Sequence, residues 1–432
     1  MSATTTVRLP FGKSHVSVQV PSGQLLGVFR PKVTTESTDE TAVVRKALEH
    51  PIGSPRLREI ARPGQKTVIV TSDITRPCPS DKLLPAVLAE LAQAGVFEKD
   101  ITIVVALGLH RSMSDAELEQ AVGTEVYRRV RVINHDPART VRLGVTQRGM
   151  PVEFLREVVQ ADLRICLGNL EFHYFVGYSG GAKAILPGCA SLATITANHS
   201  MMVRPEAVGG QIEGNPVRAD IEEAVAMVGV DFVLNVLVDA EHRVLAAVAG
   251  DVTAAHRQGC EMVAERGKVP IPDLAEVVLA SPGGYPKDVN LYQAQKALDN
   301  AGCAMRPGGV TILVAECIEE IGGQVFGEWM TRGSTPQELL RAIQEKFVLG
   351  GHKAAAIAKI ANQGRVFLVS PALARFSLTG MEHYPDAQAA LDAALELLGP
   401  KARVLALPEA ASVLPQAPSR DIRCCHISSS FS

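Results

Sequence analysis

The chain has 432 residues, a formal net charge of −3, and 47% hydrophobic but only 4% aromatic residues. That length suffices for two or more domains with sizeable cores, and the composition is that of an Ala-, Val- and Leu-rich α/β enzyme. No long basic run and no apolar stretch near the roughly 20 residues of a membrane span occurs, which excludes nucleic acid and membrane as partners.

Met1 to Thr6 lacks the charged and apolar regions of a secretory signal, and the eight cysteines show no zinc-like CxxC pairs. A cytoplasmic protein with reduced, structural thiols is expected. Along the chain, strand, loop and helix recur. Lys66 to Thr71 is a short apolar run, and Leu84, Val87, Leu88 and Leu91 then give helical spacing up to Gly95. Ile101 to Ala106 is a second buried strand, and Ser114-Asp115-Ala116-Glu117 is a capping box that opens the next helix. Val130 to Asn134 and Leu163 to Leu167 continue the series, so a mainly parallel sheet with helices on its faces is predicted. The prolines of Gly267-Lys268-Val269-Pro270-Ile271-Pro272 break the pattern. They divide the chain into an N-terminal α/β domain, 1–267, and a C-terminal α/β domain, 268–432, with an active-site cleft expected between them. In the second domain strands are predicted at Glu276 to Ala280, Val310 to Ala315, Val366 to Ser370 and Val404 to Ala406, with a helix from about Val289 to Ala301. The Ser- and Pro-rich end from about 415 is expected to fray.

Ligands of open α/β sheets sit outside the carboxyl ends of the strands, so the loops that follow strands are the places to look. Asp73 and Arg76 follow the first strand, a pairing that suits a clamp for carboxylate or phosphate. His110 follows the second and His173 the strand at 163–167. After His173 comes Gly177-Tyr178-Ser179-Gly180-Gly181-Ala182-Lys183, and Asn198-His199 lies sixteen residues beyond Lys183. The glycines let backbone N–H groups approach an anion, and a helix starting near Ala182 would add its positive end, so Ser179, Gly180 and Gly181 are assigned to a cofactor phosphate. Lys183 is followed by Ala184 rather than Ser or Thr, so this is no P-loop. On the helix of the second domain Tyr292 and Lys296 are one turn apart with Gln293 beside them, a polar corner.

Taken together, Asp73-Ile74-Thr75-Arg76-Pro77, Gly108-Leu109-His110-Arg111, Glu171-Phe172-His173 through Lys183, Asn198-His199 and Gly284-Tyr285-Pro286-Lys287-Asp288 through Lys296 resemble the motifs of the nickel-pincer lactate racemases and related 2-hydroxyacid racemases and epimerases. The resemblance runs from about Val7 to Gly399. It implies a nickel pincer built on a pyridinium mononucleotide and joined through a thioamide to Lys183, with His199 as protein ligand to nickel. It implies His110 and His173 as acid/base groups, Arg76 and Lys296 as substrate-binding cations, and Asp73, Tyr292 and Gln293 as a supporting polar shell. A small 2-hydroxy acid and the enzymes that make the cofactor are then the partners. Inversion would proceed by hydride removal from C2 while a histidine takes the hydroxyl proton, giving a flat 2-keto acid open from both faces.

One departure concerns the tryptophan that lactate racemases place near the substrate: the matching region reads Gly350-Gly351-His352-Lys353, and the only Trp is Trp329. A larger or more polar 2-hydroxy acid than lactate is compatible with that change. His15, His50, His135, His242, His256 and His383 match none of these motifs and are expected in surface or capping roles. Cys424-Cys425-His426 lacks the further ligands a metal site needs. Two other functions fit the same residues: a metal-dependent hydrolase that gathers His110, His173 and His199 on one ion, and a two-domain sensor that binds phosphate or carboxylate without turnover.

Overall fold

The computed structural model describes residues 3–32, 39–239 and 241–418; Cys424-Cys425-His426 lies outside them. The described chain forms two compact units, one from 39–207 with 211–264, the other from 3–32, 208–210 and 265–418.

In the first unit a six-stranded sheet runs in the order Val244–Gly250, Phe232–Val238, Leu163–Asn169, Thr67–Ser72, Ile101–Ala106, Arg131–Asn134. All neighbours are parallel except the edge strand Val244–Gly250, which is antiparallel to Phe232–Val238. Alternation inside the apolar runs explains the two-sided burial, since successive side chains of a strand point to opposite faces. Val68 and Val70 enter the core on one face and Ile69 the core on the other, and all three are buried. Each such side chain contributes about 1.5–3 kcal/mol, so the central strand is pinned in register from both sides. The predicted helix after the first strand spans Ser80–Gln93, and the capping box opens Asp115–Val122 with Ser114 accepting from the Glu117 N–H.

Strand order places the site. From Thr67–Ser72 the chain winds outward through Ile101–Ala106 to Arg131–Asn134, then returns to the other side of the starting strand with Leu163–Asn169. The order therefore reverses between Thr67–Ser72 and Leu163–Asn169, and the crevice at their carboxyl ends is the natural ligand position of such a sheet.

The second unit holds a six-stranded, fully parallel sheet, in the order Glu382–His383, Arg365–Val369, Met305–Val314, Ala275–Ala280, Val404–Leu407, Leu25–Val28. Its reversal point lies at Ala275–Ala280, whose carboxyl end leads through the Ser281–Gly284 turn toward the helix Leu291–Gly302.

Two expectations need correction here. The first residues do not belong with the N-terminal domain: Leu25–Val28 is the edge strand beside Val404–Leu407, and the hairpin Thr4–Phe11/Ser14–Pro21 packs Val7, Leu9, Val18 and Val20 into the core of the second unit's sheet. Pairing partners some 380 residues apart leave no local trace. Nor do the first residues of the end expected to fray do so, because Leu414–Gln416 forms a parallel pair with Lys268–Pro270; the rest of that end, from 419, lies outside the described residues. Leu414 and Pro415 are buried there.

Candidate active site

Asp73 stands immediately beyond the strand Thr67–Ser72. Its Oδ1 accepts from the Thr75 N–H at 2.7 Å, and its Oδ2 lies 2.9 Å from His110 Nδ1. A carboxylate can only accept, so Nδ1 of His110 carries the proton and Nε2 holds the lone pair. Burial alone would raise the Asp73 pKa, but the His110 hydrogen bond and charge, Arg76 and Thr75 overcome it and hold the carboxyl down to about 2. Asp73 is buried while the His110 side chain is one-third exposed, so the anion is held inside and the ring faces outward. The His110 loop is tied down by the Gly108 N–H, which donates to the Gly188 carbonyl at 2.9 Å.

His173 ends a two-residue strand, Phe172–His173, that folds back on Gly177–Tyr178. Gly177 makes this turn possible: at φ +82° an added Cβ would lie 2.1 Å from the Gln211 carbonyl oxygen. The His173 ring stacks on Tyr174 at 5.2 Å and meets the edge of Phe175 at 4.7 Å. Phe175 in turn meets His199 at 5.0 Å, so one buried phenyl ring separates the two imidazoles.

His199 is buried on the helix Leu192–Ser200, which Ser191 caps by accepting from the Thr194 N–H. Asn198 Nδ2 donates to the Val217 carbonyl, which turns Asn198 Oδ1 toward His199 Nδ1 at 3.2 Å. The amide oxygen must accept, so Nδ1 is protonated and the lone pair lies on Nε2. Burial, reinforced by the positive charge of Lys183, brings the His199 pKa down to about 3 and keeps the ring neutral.

Lys183 sits in a short 3-10 turn, Gly181–Ala184, not at the start of an α-helix. The run before Pro187 is too short for one, since proline disfavours helical backbone in the residue ahead of it. No helix N-terminus is therefore available to an anion at this turn. Two of its backbone donors are committed within the fold: the Ser179 N–H donates to the Glu171 carbonyl and the Gly181 N–H to Asn235 Oδ1.

Asp73 and Arg76, beyond Thr67–Ser72, thus meet His110 from the loop after Ile101–Ala106 through the Asp73 carboxylate, and beyond Leu163–Asn169 the rings of His173, Phe175 and His199 are in contact, with the charge of Lys183 acting on His199. In the other unit, Tyr292, Gln293 and Lys296 share the half-buried face of Leu291–Gly302, whose opposite face buries Leu291, Ala294, Ala297 and Leu298. Lys353 Nζ donates to the Tyr292 carbonyl at 2.7 Å and lies 4.1 Å from the centre of its ring. Trp329 packs against Gly351, where a Cβ would come within 2.5 Å of the indole, so the chain's one tryptophan meets the segment Gly350-Gly351-His352-Lys353.

Among the described residues no three His, Cys, Asp or Glu side chains converge on a common metal position. The hydrolase reading, which requires His110, His173 and His199 on one ion, is thereby overturned. A metal that enters with its own donor atoms and needs one neutral protein nitrogen is compatible with His199 as found.

His135 and His256 are not surface groups: both are 1% exposed. Burial brings His135 down to about 4, beneath the backbone of Gly108 and Ala190. His256, with Cys260 and Val263, falls at spacings of four and three on the buried side of Ala254–Gly267, an imidazole on an otherwise apolar stripe. That spacing was the available signal, and Asn235 and Arg218 had none.

A model of the lactate racemase N-terminal domain matches residues 11–210, and one of the lactate racemase C-terminal domain matches 272–415. The lactate racemase of Thermoanaerobacterium thermosaccharolyticum is 35% identical over 344 residues, 78% of this chain and 80% of that protein. The lactate racemase of Lactiplantibacillus plantarum is 32% identical over 423 residues, 94% of this chain and 99% of that protein. The solved lactate racemase apoprotein of T. thermosaccharolyticum superposes with a TM-score of 0.88 at 32% identity, covering 95% of this chain and all 100% of that one. A protein of Thermotoga maritima shares the fold, with a TM-score of 0.64 at 17% identity over 89% of this chain and 100% of its own.

Proposed function

Because the chain belongs to the lactate racemase family and is an isomerase, we propose that it inverts C2 of a 2-hydroxy acid, lactate or a related 2-hydroxycarboxylate, with a nickel pincer nucleotide attached to Lys183. The observation that carries this reading is the pair of oriented imidazoles flanking Lys183 in the chain: His110 with its lone pair on Nε2, and His199 buried, neutral and beside the lysine's charge. His199 Nε2 would hold the metal, and Lys183 would hold the organic part. Because Ser179 and Gly181 have donors committed elsewhere, the phosphate contact proposed for this turn falls mainly to Gly180. What the group supplies when bound is the capacity to take hydride from C2 and return it.

The remaining chemistry belongs to the side chains. Arg76 binds the substrate carboxylate by charge-assisted hydrogen bonds, and Lys296 stabilises negative charge on the substrate oxygens. For one enantiomer His110 Nε2 accepts the hydroxyl proton, and Asp73 stabilises the imidazolium that results. For the other, His173 does so, and the proton is returned to the planar 2-keto acid by the histidine on the face where the new hydroxyl forms. The proposed setting is the cytoplasm, with the enzymes that make the cofactor as maturation partners.

Protein co-produced with those enzymes should carry the cofactor's mass, and Lys183→Ala should lose that mass and racemisation together. An adduct that survives in Lys183→Ala would refute the attachment. A wild-type protein that binds 2-hydroxy acids but never racemises them when loaded would favour the sensor instead.

A further inference from the structure

The segment that presents Lys183 rests on a buried polar bed supplied by three elements that none of the motifs includes. The Arg218 guanidinium, 1% exposed on the helix Pro216–Ala226, donates to the carbonyls of Val176 and Tyr178. His256 Nε2 lies 2.9 Å from the next carbonyl, that of Ser179. Asn235, on the strand Phe232–Val238 next to the sheet edge, accepts the Gly181 N–H at 2.7 Å through Oδ1. Carbonyls at 176, 178 and 179 and the amide at 181 are all held from one side.

The His256 tautomer follows from its neighbours. A carbonyl only accepts, so Nε2 carries the proton, and Nδ1 accepts from Arg257 Nη1 at 3.2 Å. Arg257 is itself clamped by Glu222 through two contacts of 2.8 Å. Burial and the charges of Arg218, Arg257 and Lys183 keep the ring neutral, as this pattern requires. Steric fit agrees: Gly181 has φ +58°, and a Cβ there would lie 2.8 Å from the His256 ring. Imidazole and glycine are therefore packed so closely that no side chain fits between them.

Resting on the reading that Lys183 carries the cofactor, we propose that His256 is a positioning residue: together with Arg218 and Asn235 it grips the peptide frame of residues 176–181 and sets the direction in which Lys183 leaves the backbone. It touches neither substrate nor cofactor. Its effect is on how readily the lysine amine meets the group it must bond, so loading should suffer before folding does.

The test uses full-length protein co-produced with the cofactor-making enzymes, with loading read by intact mass, folding by thermal unfolding, and KM and kcat by racemisation of the loaded fraction. His256→Phe keeps a ring against Gly181 but loses the N–H donor. It should fold and yet load about 10- to 100-fold less readily, the range typical of groups that orient a ligand from behind. His256→Gln restores an amide donor within reach of the Ser179 carbonyl and should recover most of the loading, a rescue that simple packing would not produce. Full loading of folded His256→Phe overturns the proposal, as does His256→Gln loading no better than His256→Phe. If His256→Phe fails to fold, Asn235→Ser carries the same test, since it withdraws the acceptor from the Gly181 N–H; loading equal to wild type again overturns it. Absence of any adduct on wild-type Lys183 is a separate outcome, which defeats the attachment reading and this proposal with it.

Discussion

His110 and His173 follow Ile101–Ala106 and Leu163–Asn169, the two strands that flank Thr67–Ser72 in one sheet, and are assigned the same task, yet the structure holds them by different means. His110 is gripped at Nδ1 by a buried carboxylate whose own backbone contact to Thr75 keeps it from turning. His173 is set between aromatic faces, stacked on Tyr174 and edged by Phe175. A hydrogen-bonded carboxylate fixes which ring nitrogen points outward, whereas ring packing fixes the plane of the ring. A racemase whose two faces are served so differently need not have equal rates in its two directions away from equilibrium.

The sharpest break comes from removing either imidazole. His110→Ala and His173→Ala should each lower racemisation by about 10² to 10⁴ in both directions, because a full inversion uses both groups. The Lys183 adduct should remain by mass in each. Near-normal racemisation in either loaded variant would remove that residue from the mechanism.

The next effect is on stability and belongs to the His110 side. His135 lies beneath the Gly108 loop with its pKa brought from 6.5 to about 4 by burial. The unfolded chain therefore takes up the proton first as pH falls. Stability is lost progressively between about pH 6.5 and pH 4, by up to roughly 3 kcal/mol from this group. His135→Leu should flatten that part of the melting-temperature profile; an unchanged slope would show that other groups dominate it.

Asp73→Asn sharpens the comparison at smaller cost. It keeps the shape of the side chain but removes the charge that stabilises protonated His110, so a drop of about 10- to 100-fold is expected in the loaded enzyme, falling mainly on kcat. Substrate affinity should change little. An equal loss in KM alone would mean that Asp73 acts on Arg76 rather than on His110.

Much of this was legible because the information is local. Apolar runs bounded by turns marked Thr67–Ser72, Ile101–Ala106 and Leu163–Asn169 nearly to the residue, and loops after strands contain Asp73, His110 and His173. What escaped depends on distant parts of the chain. The glycine-rich run suggested a helix at Ala182 and donors for a phosphate, but Asn235, more than fifty residues away, takes one of those donors. His256 and Arg218 occupy positions on helices where only the arriving carbonyls of residues 176–179 explain a polar side chain.

The pairing of Leu25–Val28 with Val404–Leu407 also bears on the order of events at the ribosome. The sheet that presents Asp73, His110 and His173 has its last strand by residue 250, so all its strands are available while the chain is still being made. The first hairpin and Leu25–Val28 emerge before any of it, but their edge position becomes available only when residue 404 arrives. At about 5–20 residues per second, they wait on the order of tens of seconds. During that interval Leu25–Val28 is an unpaired strand edge, and an extension placed before it would disturb the unit that finishes last rather than the loops that carry the histidines.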